Sequence, residues 1–242
     1  LAALPWARVL TPEMLLFSFG VLVYLLTRFI GLSAFPIYFF SDEAIQANLA
    51  SDFLQRGLRD HTGTFLPPYF LNDRNWNLSF SIYVHSLPVL LFGKSVVITR
   101  GTSVLVSLLA PIAIALILKQ IFKIRFWWLG PLVLSVLPAW FLHSRTAFET
   151  VMMVAFYACF LYCYLRYRYE DPRYLYPAIV LGAMTFYSYT NGQGVMLVSG
   201  VLLLLSDLRY HLRQPLRRLL LAVGLLALMA VQFVRFRLLY PD

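Results

Sequence analysis

The segment SVVITRGTSVLVSLLAPIAIALIL, residues 95–118, decides the class of this protein. It carries one charged residue, Arg100, and as a helix it is long enough to cross a bilayer core of about 30 Å. The rest of the chain has the same character, because 60% of its 242 residues are hydrophobic, 13% are charged and the mean hydropathy is +0.73. This composition lies far outside the range of a soluble domain. The sequence therefore predicts an all-α integral membrane protein, since a helix satisfies its own backbone hydrogen bonds in lipid.

Apolar runs of this kind recur along the chain and predict about seven transmembrane helices. The predicted spans are residues 12–30, 95–118, 126–142, 147–165, 174–189, 195–205 and 216–234. The sixth is short for a crossing and needs its flanks to complete it. We expect residues 1–242 to form a single transmembrane module, and because the chain begins at Leu1 we expect that module to be part of a longer protein.

The basic residues predict the orientation of this module. They follow the second, fourth and sixth spans: Lys119, Lys123, Arg125; Arg166, Arg168, Arg173; Arg209, Arg213, Arg217, Arg218. By the positive-inside rule, the amino terminus is then cytoplasmic and residues 31–94 form a large extracytoplasmic loop of a cell (inner or plasma) membrane protein. Because the basic residues lie in short clusters between apolar runs, the formal charge of +9 does not indicate nucleic-acid binding.

The loop of residues 31–94 is too apolar to be a flexible linker. Ser41 is a good N-cap for an amphipathic helix over residues 41–56, which we expect to lie on the membrane surface. A second helix is predicted over residues 78–92. The segment of residues 64–75 between them contains Pro-Pro and Asn-Asp turn signals, so we expect it to be irregular.

Two adjacent carboxylates, Asp42 and Glu43, follow the first span in the segment Phe39-Phe40-Ser41-Asp42-Glu43-Ala44. Two interpretations remain open at this point. Acidic residues in the first turn of a helix are favoured by the helix dipole, which would make them structural. Alternatively, a carboxylate at the level of the lipid headgroups, beside a groove, is well placed to act as a base on a lipid-linked substrate.

A second polar group, His143-Ser144-Arg145 followed by Glu149, lies at the outer junction of the third and fourth predicted spans. Arg145 and Glu149 are four residues apart and could pair along one helix. The functional alternative is that Arg145 binds a phosphate, because its guanidinium matches phosphate oxygens with planar paired donors. Glu149 would then face the pocket and help to hold a metal or the acceptor.

Other candidates carry weaker signals. Arg100 is a further phosphate ligand or a side chain that reaches the headgroups, and Tyr189 and Asn191 either line the pocket or belong to an aromatic belt. His61 and His85 have no fixed spacing that indicates a metal. No cofactor is predicted, although a divalent metal at Asp42, Glu43 and Glu149 remains open. The only cysteines, Cys159 and Cys163, are expected to pack inside the fourth span.

The order of these motifs resembles the GT-C superfamily of membrane glycosyltransferases, in the branch of protein O-mannosyltransferases and aminoarabinose transferases. The resemblance runs from Phe39 to about Gln193. It rests on the Ser41-Asp42-Glu43-Ala44 motif, the Leu91-Phe92-Gly93-Lys94-Ser95 turn that leads to Arg100, and the segment Ser144-Arg145-Thr146-Ala147-Phe148-Glu149. One departure is that relatives often have a basic residue where this chain reads Thr190-Asn191-Gly192-Gln193.

This resemblance implies a seven-helix module with two amphipathic helices in its first outer loop. It also implies that Asp42 is the catalytic carboxylate, that Glu43 is its companion, and that the donor is a sugar on a polyprenyl phosphate presented from the membrane. We therefore expect an inverting glycosyltransferase in which Asp42 is the general base and the lipid phosphate departs toward Arg145 or Arg100.

The sequence leaves two other classes of function open. The first is a non-catalytic scaffold subunit that works with other membrane subunits in a larger complex. The second is a transporter, which is disfavoured because the middles of the spans lack the charges expected along a substrate pathway.

Overall fold

A computed structural model describes residues 11–73 and 75–240. The described chain is mostly helical, with one short hairpin in the large loop. Its elements are α1 (Pro12–Phe29), α2 (Ser41–Gln55), β1 (Tyr69–Asn72), β2 (Asn75–Leu78), α3 (Ser79–Phe92), α4 (Val96–Ser107), α5 (Leu109–Leu116), a π-helical turn (Ile117–Ile121), α6 (Leu129–Val136), α7 (Pro138–His143), α8 (Glu149–Tyr169), a 3₁₀ turn (Pro172–Tyr174), α9 (Leu175–Phe186), α10 (Thr190–Ser206), α11 (Leu208–Leu212) and α12 (Leu216–Leu239).

In the described residues, four helical segments are long and apolar enough to cross a membrane: Pro12–Phe29, Val96–Ile121, Glu149–Tyr169 and Leu216–Leu239. They agree with four of the predicted spans and with an integral membrane protein. The other three predicted spans form shorter helices, so the total of seven crossings stays a prediction. The third is divided into α6 and α7 at Leu137, whose extended backbone precedes Pro138, because a residue before proline is disfavoured in the helical region.

The large loop folds against the bundle and has its own small apolar core. Helices α2 and α3 form where the sequence predicts them and pack on each other. Their shared core consists of buried side chains from α2, β1 and α3: Ala50, Phe53, Phe70, Ile82 and Val89. Phe53 and Phe70 meet edge to face, with ring centroids 5.5 Å apart. The loop is thus a packed layer that holds α2 in a fixed position.

The expectation that residues 64–75 are irregular is wrong for its second half. Strands β1 and β2 pair in an antiparallel hairpin, with Tyr69 opposite Leu78 and Leu71 opposite Trp76. Aromatic contacts with α12 stabilise the hairpin, since the rings of Tyr69 and Trp76 lie 3.9 and 5.1 Å from that of Phe236. These partners are far away in the sequence, so local turn signals could not reveal them.

The loop lies at one end of the bundle. The Phe80 N–H donates to the carbonyl of Tyr187, just after α9 ends, at 3.2 Å. Arg235, near the end of α12, donates to the carbonyls of Phe65 and Leu66 at 2.7 and 2.9 Å. Helices α9 and α12 therefore both end at the loop and begin at the opposite end. We call these the loop end and the basic end, because the connections at the second carry the clustered lysines and arginines.

Candidate active site

Asp42 lies in the first turn of α2 and its side chain is exposed. The N-cap of this helix is Phe40 rather than Ser41, so the predicted cap is one residue off. Among the residues that the structure describes, no hydrogen bond or ion pair occupies the Asp42 carboxylate. That carboxylate is consequently available to a substrate.

The neighbouring carboxylate has the opposite environment. Glu43 is fully buried and accepts hydrogen bonds from the N–H groups of Phe40 and Ala147, at 3.1 and 3.0 Å. Arg100 donates to both of its oxygens, with the two distances 2.9 Å each. Burial of an ion pair is costly unless hydrogen bonds satisfy the remaining polar atoms, and that condition is met here. Glu43 therefore links the start of α2 to α4, through Arg100, and to the segment just before α8, through Ala147.

Arg100 uses all of its donors inside the protein. A guanidinium carries five N–H groups. Besides its two bonds to Glu43, it donates to the carbonyls of Leu32, Pro36 and Tyr38 at 3.0, 3.0 and 2.7 Å. The side chain is 1% exposed, so it does not reach out to the headgroups. In this conformation Arg100 holds the segment that leads from α1 to α2.

Arg145 holds the end of α1 in a similar way. Its Nη1 donates to the carbonyls of Thr27 and Arg28 at 2.7 and 2.8 Å, and its Nη2 donates to Ile30 and Phe35 at 2.9 and 3.0 Å. The last carbonyls of a helix have no partner within the helix, and a cation there also complements the helix dipole. Burial lowers the pKa of Arg145, and the nearby charge of Arg100 lowers it further.

These contacts favour positioning roles for both arginines. Arg145 does not pair with Glu149 along one helix, because α8 begins only at Glu149. Neither guanidinium has an N–H that points toward a ligand in this conformation, so direct contact of Arg100 or Arg145 with a phosphate stays a prediction. Unlike Arg100, Arg145 has no carboxylate partner among the described residues and remains a net positive charge.

Glu149, at the start of α8, forms the centre of a polar cluster with Gln46 and Asn77. Its Oε1 accepts hydrogen bonds from Gln46 Nε2 at 2.7 Å and from Asn77 Nδ2 at 3.0 Å. Gln46 lies one helical turn after Asp42, on the same face of α2. The buried Gln46 Oε1 has no hydrogen-bond partner in the described part of the chain. The cluster thus offers an unused acceptor beside the Glu149 carboxylate.

An apolar cavity of about 230 Å³ lies where the chain enters α2 and α8. Its lining residues are Pro36, Phe40, Leu142, His143, Thr146 and Phe148. Phe40 and Phe148, which directly precede α2 and α8, face each other with ring centroids 5.4 Å apart. The cavity therefore lies at the point where the helices that carry Asp42 and Glu149 begin. Its apolar walls suit a hydrocarbon chain.

Tyr189 and Asn191 lie at the start of α10, and Asn191 is exposed. The backbone there is held tightly, because a Cβ on Gly192 would come within 2.6 Å of the Thr185 carbonyl oxygen. No hydrogen bond or ring contact within residues 11–73 and 75–240 joins either residue to the polar cluster. The structure brings together Asp42, Glu43, Arg100, His143, Arg145 and Glu149, and leaves the proposed roles of Tyr189 and Asn191 as predictions.

The sequence leaves a divalent metal at Asp42, Glu43 and Glu149 open, and that site stays a prediction. In the described residues, no three His, Cys, Asp or Glu side chains lie close enough to hold an ion. Glu43 is instead engaged with Arg100. His85 is buried, bonds through Nδ1 to the Ser81 carbonyl at 2.9 Å, and has its pKa lowered by burial. His61 is exposed.

Sequence reasoning missed Gln46 and Asn77. Gln46 could have been predicted to lie on the same helix face as Asp42, because it follows Asp42 by four residues on the predicted helix. Asn77 had no such signal, since its strand was not predicted and its contact with Glu149 spans 72 residues of chain.

The fold and the site define an integral membrane protein in which a packed loop presents an exposed carboxylate beside an apolar cavity. The family described as dolichyl-phosphate-mannose-protein mannosyltransferase matches residues 80–233, well over half of the chain, and the protein belongs to that family. The resemblance to GT-C membrane glycosyltransferases is thereby confirmed. Neither the curated proteins nor the solved structures gave a match. Arg100, Arg145 and Glu149 lie in the matched region, whereas Asp42 and Glu43 precede it.

Proposed function

We propose that this protein is an inverting glycosyltransferase that moves a sugar from a polyprenyl-phosphate-linked donor to an acceptor at the extracytoplasmic face of the membrane. The observation that carries the proposal is the exposed Asp42 carboxylate in the first turn of α2, two residues after Phe40, which lines an apolar cavity. Membership in a family described by a dolichyl-phosphate-mannose donor supports a lipid-linked sugar of the mannose kind.

In the proposed reaction, Asp42 accepts the proton of an acceptor hydroxyl or amine. The acceptor atom forms a bond to the anomeric carbon while the bond from that carbon to the lipid-phosphate oxygen breaks, and the phosphate leaves with the electron pair. A single displacement of this kind inverts the anomeric configuration. A positioned general base contributes about 10²- to 10⁴-fold in rate.

The two adjacent carboxylates take different roles in this mechanism. Asp42 is exposed and has no protein partner in the described residues, which suits a proton acceptor. Glu43 accepts four hydrogen bonds and cannot take a proton without breaking its pair with Arg100. Glu43 is a positioning residue that fixes the first turn of α2 and hence the direction of Asp42.

The cavity is proposed to hold the first part of the polyprenyl chain. Its walls are apolar, and Phe40 and Phe148 place it next to the two helix starts. His143, at its edge, is proposed to contact the phosphate. Arg145, a cation without a carboxylate partner in the described residues, offsets charge that develops on the leaving group. Arg100 acts on the phosphate only through Glu43 and the loop.

The polar cluster is proposed to bind hydroxyl groups of the sugar or of the acceptor. Gln46 Oε1 is a buried acceptor without a donor in the described chain, and such an atom gains stability when a ligand hydroxyl donates to it. Glu149 supplies further acceptor capacity on the same side. Tyr189 and Asn191 are proposed as additional contacts from α10.

The orientation is proposed from the charge distribution. The clusters after α5, α8 and α10 lie at the basic end, away from the loop. The positive-inside rule puts that end in the cytoplasm and the Asp42 site outside.

The decisive experiment compares Asp42→Asn with Asp52→Asn. Both substitutions are on exposed positions of α2 and both remove one negative charge, but only Asp42 lies in the first turn, two residues after Phe40, which lines the cavity. Purified variants are assayed for sugar transfer from a polyprenyl-phosphate-linked donor, alongside thermal melts. We expect Asp42→Asn to lose about 10²-fold or more of the activity with an unchanged melt, and Asp52→Asn to stay active.

Near-normal transfer by Asp42→Asn excludes Asp42 as the base. If the unsubstituted protein transfers no sugar across a broad set of donors and acceptors, the scaffold interpretation replaces the enzyme.

A further inference from the structure

A second cavity, of about 510 Å³, lies at the basic end between α9 and α12. Its lining consists of three arginines and three less polar residues: Arg173, Tyr176, Pro215, Arg217, Arg218 and Leu221. The proposed transferase reaction uses none of them. Because α9 and α12 both end at the loop, this cavity is separated from Asp42 by the length of the bundle, and the 24 residues of α12 correspond to about 36 Å.

The three arginines lack the neutralisation that neighbouring arginines have. At the same end of the bundle, Arg166 pairs with Glu170 and Arg168 pairs with Asp207, both at 2.7 Å. Within the described chain, no carboxylate pairs with the arginines of the cavity. Arg218 donates to the amide oxygen of Gln214 at 2.5 Å, which leaves its charge intact. The cavity is therefore a concentration of positive charge with no internal counter-ion among these residues.

The start of α12 adds to this positive potential. Its first turn contains Arg217 and Arg218 but no acidic residue, and Pro215 offers no side-chain cap. The first N–H groups of a helix have no partner within it, and the helix dipole disfavours cations at that end. The dipole disfavours the two arginines there, and they repel each other; an anion between them would offset both effects. Guanidinium groups match phosphate oxygens with paired donors.

The surroundings of the cavity indicate that the anion has an apolar tail. Leu221 lines the cavity and is 54% exposed, and Leu220 and Leu228 on α12 are 63% and 60% exposed. Along α12 only Ala222 is buried among the described residues. A lipid that places its headgroup against the arginines can lay its acyl chains along this helix.

We propose that this cavity binds the phosphate headgroup of an anionic phospholipid in the leaflet at the basic end. Basic pockets between transmembrane helices are suited to such headgroups. This site lies at the opposite end of the bundle from the proposed donor site. Its lipid is bound and is not consumed, whereas the lipid-linked donor is a substrate. Its role is to fix the start of α12 relative to α9. Both helices run from the basic end to the loop end.

The test measures lipid binding to the purified protein in detergent micelles. Phosphatidylglycerol and phosphatidylcholine are titrated separately, and binding is followed by native mass spectrometry and by the shift of the thermal melt. The variants are Arg173→Gln, Arg217→Gln and Arg218→Gln. The matched control is Arg213→Gln, which removes an exposed arginine from the same connection but does not line the cavity.

We expect the protein to prefer phosphatidylglycerol, and each cavity variant to weaken its apparent affinity about fivefold. Arg213→Gln should bind as the unsubstituted protein does, and inorganic phosphate at equal concentration should produce no comparable shift of the melt. Equal binding of the two lipids, equal losses for Arg213→Gln and Arg217→Gln, or full competition by inorganic phosphate would each overturn the proposal. None of these readouts depends on sugar transfer, so the proposal stands or fails independently of the Asp42 site.

Discussion

Arg100 donates two hydrogen bonds of 2.9 Å each to Glu43, from Nε to Oε1 and from Nη2 to Oε2. Both side chains are buried, at 1% and 0% exposure, although Asp42, the residue directly before Glu43, is exposed. One carboxylate of the adjacent pair is therefore fixed in a structural ion pair and the other faces outward. This division is the physical basis of the proposed catalytic assignment.

The first prediction concerns the energy of this ion pair. Glu43→Gln and Arg100→Gln should each lower the melting temperature, since removing one partner of a buried pair costs about 3–5 kcal/mol. The double variant should lose less than the sum of the single losses, because no uncompensated charge remains. Thermal melts of all four proteins measure the coupling. Strictly additive losses would show that the two residues do not stabilise each other.

The polar cluster gives a prediction about catalysis. Glu149→Gln keeps one side-chain oxygen that can accept hydrogen bonds from Gln46 and Asn77, but it replaces the second carboxylate oxygen by an NH₂ group, which donates. We expect the melt to change little and kcat/KM for sugar transfer to fall about 10- to 100-fold, as for loss of a hydrogen bond to a charged group. Asn77→Asp is the companion variant: it removes a donor to Glu149 and should affect stability more. Full activity of Glu149→Gln would remove Glu149 from the site.

We predict that the stability of the fold depends on pH through the carboxyl group of Asp207, at the basic end. Burial by itself raises the pKa of this carboxyl, but hydrogen bonds from Arg168 and Tyr164 outweigh burial and hold the pKa below its ordinary value. A carboxyl with a depressed pKa stabilises the fold above its unfolded pKa, and that contribution disappears as the pH falls through the folded pKa. The melting temperature of Asp207→Asn should lie below that of the unsubstituted protein at neutral pH. The gap should shrink below about pH 4.

This pH prediction is checked by melts between neutral and acidic pH. A gap that is constant over the whole range would mean that Asp207 stabilises the protein by packing alone.

Single-cysteine labelling tests the predicted membrane orientation. Cys159 and Cys163 are first replaced by alanine. His61→Cys in the loop and Ser206→Cys at the end of α10 then provide exposed positions at opposite ends of the bundle. An impermeant thiol reagent applied outside intact cells should label His61→Cys and spare Ser206→Cys. The reverse pattern would place the Asp42 site in the cytoplasm and exclude an extracytoplasmic transferase.

Much of the loop was predictable because its signals are local. Helices α2 and α3 follow from hydrophobic periodicity and from the glycines and turn residues at their ends, which act over a few residues of chain. The hairpin β1–β2 was not predictable in this way. It depends on Tyr69 and Trp76 packing against Phe236, a residue on the last helix.

The sequence by itself determined that the protein is helical, that it lies in a membrane, and that Asp42 and Glu43 follow the first span, because hydropathy and short motifs are local properties. Only the tertiary structure decided which of the two carboxylates is available. That choice depends on Arg100, 57 residues away from Glu43, and the polar cluster depends on a contact between Gln46 and Glu149 across 103 residues. Burial and pairing of charges are settled by such long-range contacts, which the order of residues along the chain does not display.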